Sequence, residues 1–328
     1  MTARKLSERQ RRVVRERQAR QREHLQQGSD GSDADLRPGR VVSNYGKRLI
    51  VEDADGRLID CHFRQNLGAI VCGDRVVWRP EKDGTGTVVA LEERRSLLMR
   101  PQRHGKPRPV AANIDQLLVT SAPVPPLDTR LLDRYLVAAR LLDIDAAIIV
   151  NKWDLADAAL RAELEAKLAV YRDIGYALFH TSTVTGSGLD ELREVLRERT
   201  SIFVGLSGVG KSSLIDALVP DAELRIGAIS AASRQGRHTT TTARLYHLPE
   251  GGDLIDSPGV REFGLWEISA AEAARGFVEF HPYREQCHFR DCRHHEEPGC
   301  AVRAAVEAGG ISPARYESYL QILADAGD

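Results

Sequence analysis

A glycine-rich loop between a strand-like run and a helix-like run constrains this chain more than any other stretch. The loop reads G-L-S-G-V-G-K-S-S over residues 205–213 and fits the spacing G-x-x-x-x-G-K-S. Its glycines let successive backbone N–H groups curve around an anion, and the helix behind them adds the positive end of its dipole. The pattern is typical of a P-loop and predicts a nucleoside triphosphate site. The residues expected to contact the triphosphate are Gly205, Leu206, Ser207, Gly208, Val209, Gly210, Lys211, Ser212 and Ser213.

Two of these side chains have individual roles in the prediction. Lys211 is expected to reach the β- and γ-phosphates, where it would take part in catalysis. Ser212 is expected to offer its hydroxyl to Mg²⁺. The P-loop therefore predicts both the phosphate contacts and one ligand of the metal ion that accompanies them.

The motif N-K-W-D at residues 151–154 follows an apolar, strand-like run and predicts which base is bound. Asp154 can accept hydrogen bonds from N1–H and the exocyclic amine of guanine, a donor pair that adenine lacks. Lys152 is expected to pack along the base, and Asn151 to tie the loop to neighbouring backbone. Ser182 and Thr183 follow the next strand-like run and are placed to approach the base from the other side. The predicted nucleotide is GTP.

The motif D-S-P-G at residues 256–259 also follows a strand-like run. Asp256 is expected to hold Mg²⁺ through water, and the Gly259 N–H to sense the γ-phosphate. The polar loop at residues 236–242 contains Thr240 and Thr239, either of which could complete the Mg²⁺ shell. The sequence does not choose between them, and Thr240 is taken as the candidate. These residues predict the phosphate end of the site.

The residue that positions the attacking water is less clearly marked. Val260 stands where GTPases of the Ras type commonly carry a water-orienting glutamine, so water must be positioned from elsewhere. His238 is the nearest polar candidate in the sequence, because a neutral imidazole could orient or deprotonate water. A loop histidine that only makes local hydrogen bonds is the alternative.

The order of these motifs is unusual. The base-reading motif precedes the P-loop, which in turn precedes D-S-P-G, whereas ordinary GTPases place the P-loop first. All the parts are present, so the order predicts a circularly permuted domain. The new C-terminal cut falls just after Gly259, in the segment that responds to the γ-phosphate. A domain appended there could anchor that segment and transmit its motion.

A cluster of Cys and His lies near the C-terminus, with the spacing Cys287-x4-Cys292-x-His294-x5-Cys300. Three thiolates and one imidazole suit a tetrahedral zinc ion, and four protein ligands leave no open position for catalysis. His288 and His295 compete with His294 as the imidazole ligand. The spacing predicts one structural Zn²⁺.

The remaining pattern predicts a multidomain chain. Five short strand-like runs with Gly/Asp turns indicate an OB-fold β-barrel, in which Cys61 and Cys72 are buried thiols. Such barrels often bind RNA, although a purely structural barrel has the same pattern. The predicted segments are a basic flexible arm and linker at 1–36, the barrel at 37–98, a linker at 99–111, a circularly permuted α/β P-loop GTPase domain at 112–265 and a helical zinc-binding domain at 266–328.

Charge is distributed unevenly along the chain. Residues 1–27 carry nine Lys/Arg against three acidic residues, while the whole chain has a net charge of −1. A basic arm on an acidic body is common in proteins that touch nucleic acid, and a solvated tail is the alternative. The sequence contains no membrane-length apolar run and no signal peptide pattern, and five cysteines of which three cluster suit the cytosol. We expect a cytoplasmic monomer that does not bind membranes.

Together, the barrel, N-K-W-D, the P-loop, G-R-H-T-T-T, D-S-P-G and the Cys/His spacing resemble a known family over about residues 37–325. They look like the circularly permuted, ribosome small-subunit-dependent GTPases of bacteria (RsgA type). The resemblance implies hydrolysis of GTP to GDP and phosphate, stimulated by the small ribosomal subunit, late in that subunit's maturation. It implies contacts with ribosomal RNA through the barrel and zinc domain, and other small-subunit assembly factors as further partners. It assigns hydrolysis to His238 and the zinc to Cys287, Cys292, His294 and Cys300.

Two other functions are compatible with parts of this sequence. The first is a binding module that uses GTP only to fix its shape, with hydrolysis incidental. The second is a P-loop kinase, which N-K-W-D disfavours.

Overall fold

The computed structural model describes residues 35–63, 67–100, 107–219, 243–257 and 269–325. The first of its three parts is a closed barrel in which the strand order is β1-β2-β3-β5-β4 and β4 returns to pair with β1. Its core contains Trp78, Leu49 and Cys61. The predicted five-stranded barrel is confirmed, and both Cys61 and Cys72 are buried as expected. The strands are β1 (Arg37–Asn44), β2 (Arg48–Asp53), β3 (Leu58–Phe63), β4 (Arg75–Pro80) and β5 (Gly86–Leu91).

A two-stranded antiparallel ribbon follows the barrel, in a segment whose prolines and basic residues predict only a connection. Its strands are β6 (Leu97–Arg100) and β7 (Arg108–Ala112). Leu98 and Ala111 are fully buried, and the Ala112 N–H donates to the Cys72 carbonyl at 2.9 Å. The few apolar residues of this segment are thus enough to pair the strands and seat the ribbon on the barrel.

The central part is an α/β sheet in the order β10-β9-β8-β11-β13-β12. All its neighbouring pairs are parallel except β12 with β13, which form the predicted antiparallel hairpin. The carboxyl ends of β9, β10, β11 and β13 therefore lie along one edge. The strands are β8 (Gln116–Ser121), β9 (Asp145–Val150), β10 (Ala177–His180), β11 (Thr200–Val204), β12 (Arg244–His247) and β13 (Asp253–Asp256), and the helices are α1 (Thr129–Leu141), α2 (Ala158–Asp173), α3 (Leu189–Leu196) and α4 (Lys211–Leu218).

Barrel and central sheet are joined into one continuous sheet. β1 pairs with β12 at Ser43 and Arg244, and the Ser43 hydroxyl donates to the Ala243 carbonyl at 3.1 Å. Beside this pairing, His247 of β12 lies between two carboxylates. Its Nδ1 is 2.6 Å from Asp253 Oδ1, and its Nε2 is 2.7 Å from Glu52 Oε2 of the barrel. Charged contacts therefore link the barrel to the β12–β13 hairpin.

We expect this junction to weaken at high pH. Hydrogen bonds with Asp253 and Glu52 raise the pKa of His247 from 6.5 to about 9, although burial opposes them. Because the folded-state pKa is the higher one, protonated His247 stabilises the fold fully below about pH 6.5, and this contribution is lost as pH rises through about 9. Urea unfolding of the wild type and of His247→Gln should differ most near pH 6 and converge by pH 10. A difference that stayed constant over this range would contradict the assignment.

The C-terminal part is helical and packs on α1. Its core includes Phe277, Phe280 and Tyr319, and Val137 of α1 belongs to the same cluster. Among the residues that the structure describes, no helix has the length and apolarity that a membrane span requires. The helices are α5 (Ala270–Gly276), α6 (His281–Arg284), α7 (Ala301–Glu307) and α8 (Pro313–Asp325).

A buried charge cluster fixes α8 against α1. The Arg315 guanidinium of α8 contacts Asp133 of α1 and donates to Glu279 Oε1 at 2.6 Å. The side chains of Arg315 and Asp133 are each only 1% exposed. The Tyr171 hydroxyl of α2 donates to Asp133 at 2.6 Å, and the Arg315 guanidinium lies 4.5 Å from the Phe277 ring centroid. The cluster therefore ties helices α1 and α2 of the central part to the C-terminal part.

Removing the cation from this cluster should be costly. We expect Arg315→Ala to lower the free energy of unfolding by about 3–5 kcal/mol, because it leaves the buried carboxylates of Asp133 and Glu279 without a compensating cation. Arg134→Ala is the matched control, since Arg134 joins the same two helices through an exposed pair with Asp325 at 2.8 Å. That control should cost at most about 1 kcal/mol. Chemical denaturation of both variants measures the difference, and equal small losses would refute it.

Candidate nucleotide site and metal centre

The P-loop connects β11 to α4 at the edge where the parallel strands end. Gly205 has φ +138°, and a Cβ on it would lie 2.0 Å from the Thr120 carbonyl oxygen. Gly210 has φ +92°, and a Cβ there would lie 2.3 Å from Asn151 Nδ2. Neither position has room for a side chain, so the two glycines allow the loop to close against its neighbours. The result is a cradle of backbone groups in front of a helix N-terminus, which fits a phosphate chain.

Lys211 is the first residue of α4, and its side chain folds back over the loop. The ammonium donates to the carbonyl oxygens of Gly205 at 2.8 Å and Leu206 at 2.6 Å. Ser212 and Ser213 follow in the first turn of α4 with exposed side chains. A cation and a hydroxyl are thus available at the mouth of the cradle, as triphosphate and Mg²⁺ require.

The base-reading motif lies directly against the P-loop. Asn151 is fully buried, and its Nδ2 donates to the Val209 carbonyl at 3.0 Å. Its Oδ1 accepts from the Thr181 hydroxyl at 3.1 Å. The Lys152 ammonium donates to the Gly208 carbonyl. Asp154 is exposed in the 3-10 turn that follows. The motif that reads the base and the loop that holds the phosphates therefore form one unit.

The loop after β10 borders the same place. Ser182 is buried, and its hydroxyl accepts from the N–H groups of Val184 at 3.3 Å and Thr185 at 3.2 Å. Its side chain thus shapes the turn, while Thr183 beside it is half-buried.

Asp256 ends β13 at the same edge of the sheet. It lies directly opposite Arg244 in the β12–β13 hairpin, and Arg244 is buried. Three other predicted site residues, His238, Thr240 and Gly259, lie outside the described residues, and their roles stay predictions. Within the described part of the chain, four predicted site residues lie at the same edge of the central sheet. They are Asn151, Lys152, Lys211 and Asp256.

The four predicted metal ligands form a compact cluster. One ligand atom from each of Cys287, Cys292, His294 and Cys300 lies within 4.8 Å of all the others. His294 Nδ1 is 3.5 Å from the sulfurs of both Cys287 and Cys300. A tetrahedral ion with Zn–S of about 2.3 Å and Zn–N of about 2.0–2.1 Å requires an N···S separation of about 3.5 Å. The donor set can therefore hold a metal ion and has the dimensions of a zinc site.

Surrounding groups brace this cluster. Glu297 accepts from the N–H groups of Arg293 at 2.8 Å and His295 at 3.0 Å. Burial would raise the pKa of Glu297, but these hydrogen bonds more than offset it and lower the pKa to about 2. The Tyr316 hydroxyl donates to the His294 carbonyl at 2.7 Å, and Tyr319 donates to the Arg293 carbonyl. His288 and His295, the competing imidazoles, are both exposed.

Sequence reasoning did not identify the supporting residues. Tyr316 and Tyr319 stand three residues apart on α8, a helical spacing that marks one face but not what the face contacts. Trp153, within N-K-W-D, stacks on His180 with ring centroids 4.0 Å apart. The only signal for this contact in the sequence is an aromatic residue inside a polar motif.

Fold and site together define a P-loop GTPase domain whose motifs run in permuted order, between a barrel and a metal-binding helical part. A profile of the RsgA GTPase family matches residues 91–266. The chain belongs to the RsgA GTPase family, whose members are GTP-hydrolysing enzymes that use Mg²⁺.

Relatives and solved structures agree. The small ribosomal subunit biogenesis GTPase RsgA of Chromohalobacter salexigens is 53% identical over 291 residues, which is 88% of this chain and 85% of that protein. The protein of the same name from Sodalis glossinidius is 45% identical over 333 residues, 98% and 96% of the two chains. YjeQ from Thermotoga maritima superposes with a TM-score of 0.75 at 34% identity, covering 89% and 99%. YloQ, described as a circularly permuted GTPase, gives 0.72 at 28% identity, covering 89% and 96%.

Proposed function

We propose that this chain hydrolyses GTP to GDP and phosphate, that the small ribosomal subunit stimulates the reaction, and that this occurs late in the subunit's maturation. The observation that carries the proposal is the junction of base-reading motif and P-loop, made by Asn151 to Val209 at 3.0 Å. The matches to these relatives cover 85% and 96% of the relatives' own lengths. Their names, small ribosomal subunit biogenesis GTPase, support the small ribosomal subunit as the partner. The cytoplasm, where subunits are assembled, is the proposed location, and other assembly factors are further partners.

In this proposal, each residue has a defined task in binding and hydrolysis. Backbone N–H groups of the P-loop and the Lys211 ammonium hold the phosphates, while Asp154 and Lys152 select guanine. Ser212, Asp256 and Thr240 would hold Mg²⁺, and the ion, when bound, would supply positive charge to the phosphate oxygens. His238 orients or deprotonates the attacking water, and the Gly259 N–H senses the γ-phosphate. One Zn²⁺ on Cys287, Cys292, His294 and Cys300 has a structural role.

The β12–β13 hairpin connects the nucleotide site to the barrel, which is proposed to contact the ribosomal partner. The hairpin follows the Thr240 segment in the sequence and ends at Asp256. Its residues His247 and Asp253 contact Glu52 and Arg40 of the barrel. A barrel and a metal-braced helical part flank the nucleotide domain, and both are proposed to contact ribosomal RNA. The basic arm at residues 1–27 would add electrostatic attraction to the RNA.

Binding to purified small ribosomal subunits tests the proposal. With a non-hydrolysable GTP analogue the chain should co-sediment with small subunits, and with GDP it should remain in the supernatant. Large subunits are the control for nonspecific RNA attraction, and Asp154→Asn is the control for guanine recognition. A chain that sediments equally with either nucleotide, or with neither, would contradict the proposal.

A further inference from the structure

Trp153, inside the base-reading motif, makes ring contacts with side chains from β10 and α2. The Trp153 indole stacks on the His180 imidazole, with centroids 4.0 Å apart and planes inclined by 23°. The Arg161 guanidinium lies 5.6 Å from the Trp153 ring centroid, and Arg161 also donates to the Trp153 carbonyl at 3.2 Å. Trp153 is therefore held by one side chain from β10 and one from α2.

These contacts extend into a small network. His180 Nε2 lies 3.2 Å from Glu165 Oε1, and Glu165 also pairs with Arg172 at 2.9 Å. Glu165 and Arg172 both belong to α2, so the imidazole that stacks on Trp153 lies beside a carboxylate of that helix. The stack thus rests on a helix and a strand end rather than on mobile loop residues.

The turn that Trp153 anchors carries the guanine-reading carboxylate. Asp154 is the next residue and is exposed in the 3-10 turn Trp153–Leu155. Lys152, on the other side, has φ 58°, a left-handed conformation that costs a non-glycine residue about 1 kcal/mol or more. A turn entered through such a residue needs a compensating anchor. The Trp153 N–H also donates to the Thr181 carbonyl at 3.0 Å, which joins this turn to the loop bearing Ser182 and Thr183.

We propose that Trp153 is a positioning residue for guanine recognition: its stack on His180 fixes Asp154 and couples the two loops that approach the base. This inference rests on the proposed guanine nucleotide. We expect Trp153 to act on the base end of the site alone, because its ring contacts and its hydrogen bonds beyond its own turn, within the described part of the chain, are with His180, Arg161 and Thr181 and not with the P-loop. Loss of the stack should weaken nucleotide binding through the base while phosphate binding and kcat are retained.

Binding constants of four proteins for two probes test this directly. GDP reports on base and phosphates together, and inorganic tripolyphosphate reports on the phosphate cradle alone. We expect Trp153→Ala to weaken GDP binding by about 10- to 100-fold, as misplaced binding groups do, with tripolyphosphate binding and kcat unchanged within about threefold. Trp153→Phe, which can still stack, should restore GDP binding to within about threefold of wild type. Leu155→Ala is the matched control, since Leu155 lies in the same turn with its side chain exposed.

A second variant covers the case in which Trp153→Ala does not fold. His180→Ala removes the other half of the stack and should produce the same selective loss, and the double variant should be no worse than either single one. Equal GDP affinity in wild type and Trp153→Ala would overturn the proposal. So would parallel weakening of GDP and tripolyphosphate, which would mean a general structural role. A wild type that binds ADP as tightly as GDP would refute guanine recognition itself. The small-subunit assay tests the proposed function separately from the role of Trp153.

Discussion

Replacing Lys211 with alanine is expected to lower kcat/KM for GTP by at least about 10³-fold, since the ammonium stabilises charge on the transferring phosphoryl group. In the structure this ammonium already lies over the P-loop, 2.8 Å and 2.6 Å from the carbonyl oxygens of Gly205 and Leu206. Phosphate oxygens entering the cradle would meet the same cation. The Lys152 ammonium also reaches the P-loop, but it donates to the Gly208 carbonyl and not to those of Gly205 and Leu206, so we do not expect it to replace Lys211.

The fold should survive this change, because alanine is the best helix former and Lys211 begins α4. Single-turnover hydrolysis of radiolabelled GTP measures the loss, and circular dichroism checks the fold. Lys167→Ala is the matched control, since Lys167 makes only an exposed pair with Glu163 on α2. Its kcat/KM should stay within about twofold of wild type. Hydrolysis by Lys211→Ala at the wild-type rate would show that the P-loop is not the catalytic site.

Removing the metal should unfold the segment around residues 287–300. Binding of a structural zinc contributes about 10–16 kcal/mol in small zinc domains, because the site forms only when the metal is bound. Here the braces around the cluster, such as the Tyr316 contact with the His294 carbonyl at 2.7 Å, depend on the ligands being in place. We therefore expect Cys292→Ser to lose its metal and to expose this segment to protease.

Elemental analysis and hydrogen exchange together measure this effect. Wild type should contain one zinc per chain, and Cys292→Ser should contain none and exchange rapidly over residues 287–300. Cys61→Ala is the control, because Cys61 is a buried barrel thiol that lies outside the cluster. Its zinc content should remain one per chain. Full protection of the segment in a zinc-free protein would contradict the structural role.

The features predictable from the sequence were those whose geometry depends on neighbours along the chain. The P-loop glycines and the hairpin of β12 and β13 follow from local spacing and alternation, which fix turns and faces. The barrel followed from five runs of strand-like residues. The β6–β7 ribbon was not predicted, because the prolines and basic residues of this segment indicate a connection. Its buried apolar residues, Leu98 and Ala111, are too few to form a strand pattern.

Contacts between distant residues could not be predicted in the same way. Glu52 and His247 are 195 positions apart, and Asp133 and Arg315 are 182 apart. From the sequence alone, a charged residue in a strand or helix is expected to be solvated at the surface. Only the fold shows which distant residue is its partner. The same holds for the stack of Trp153 on His180, which depends on the register of β10 beside β9. Motifs thus predicted the site, while the fold was needed to find what supports it.

The proposed stimulation of this GTPase by the small ribosomal subunit is measured most directly by GTP turnover with and without purified subunits. The rate of phosphate release per chain should rise at least about tenfold when small subunits are added, because a partner that completes a GTPase site can accelerate hydrolysis by up to about 10³- to 10⁵-fold. Large subunits at the same RNA concentration should leave the rate unchanged. The same rate with small subunits, with large subunits and with neither would contradict the claim.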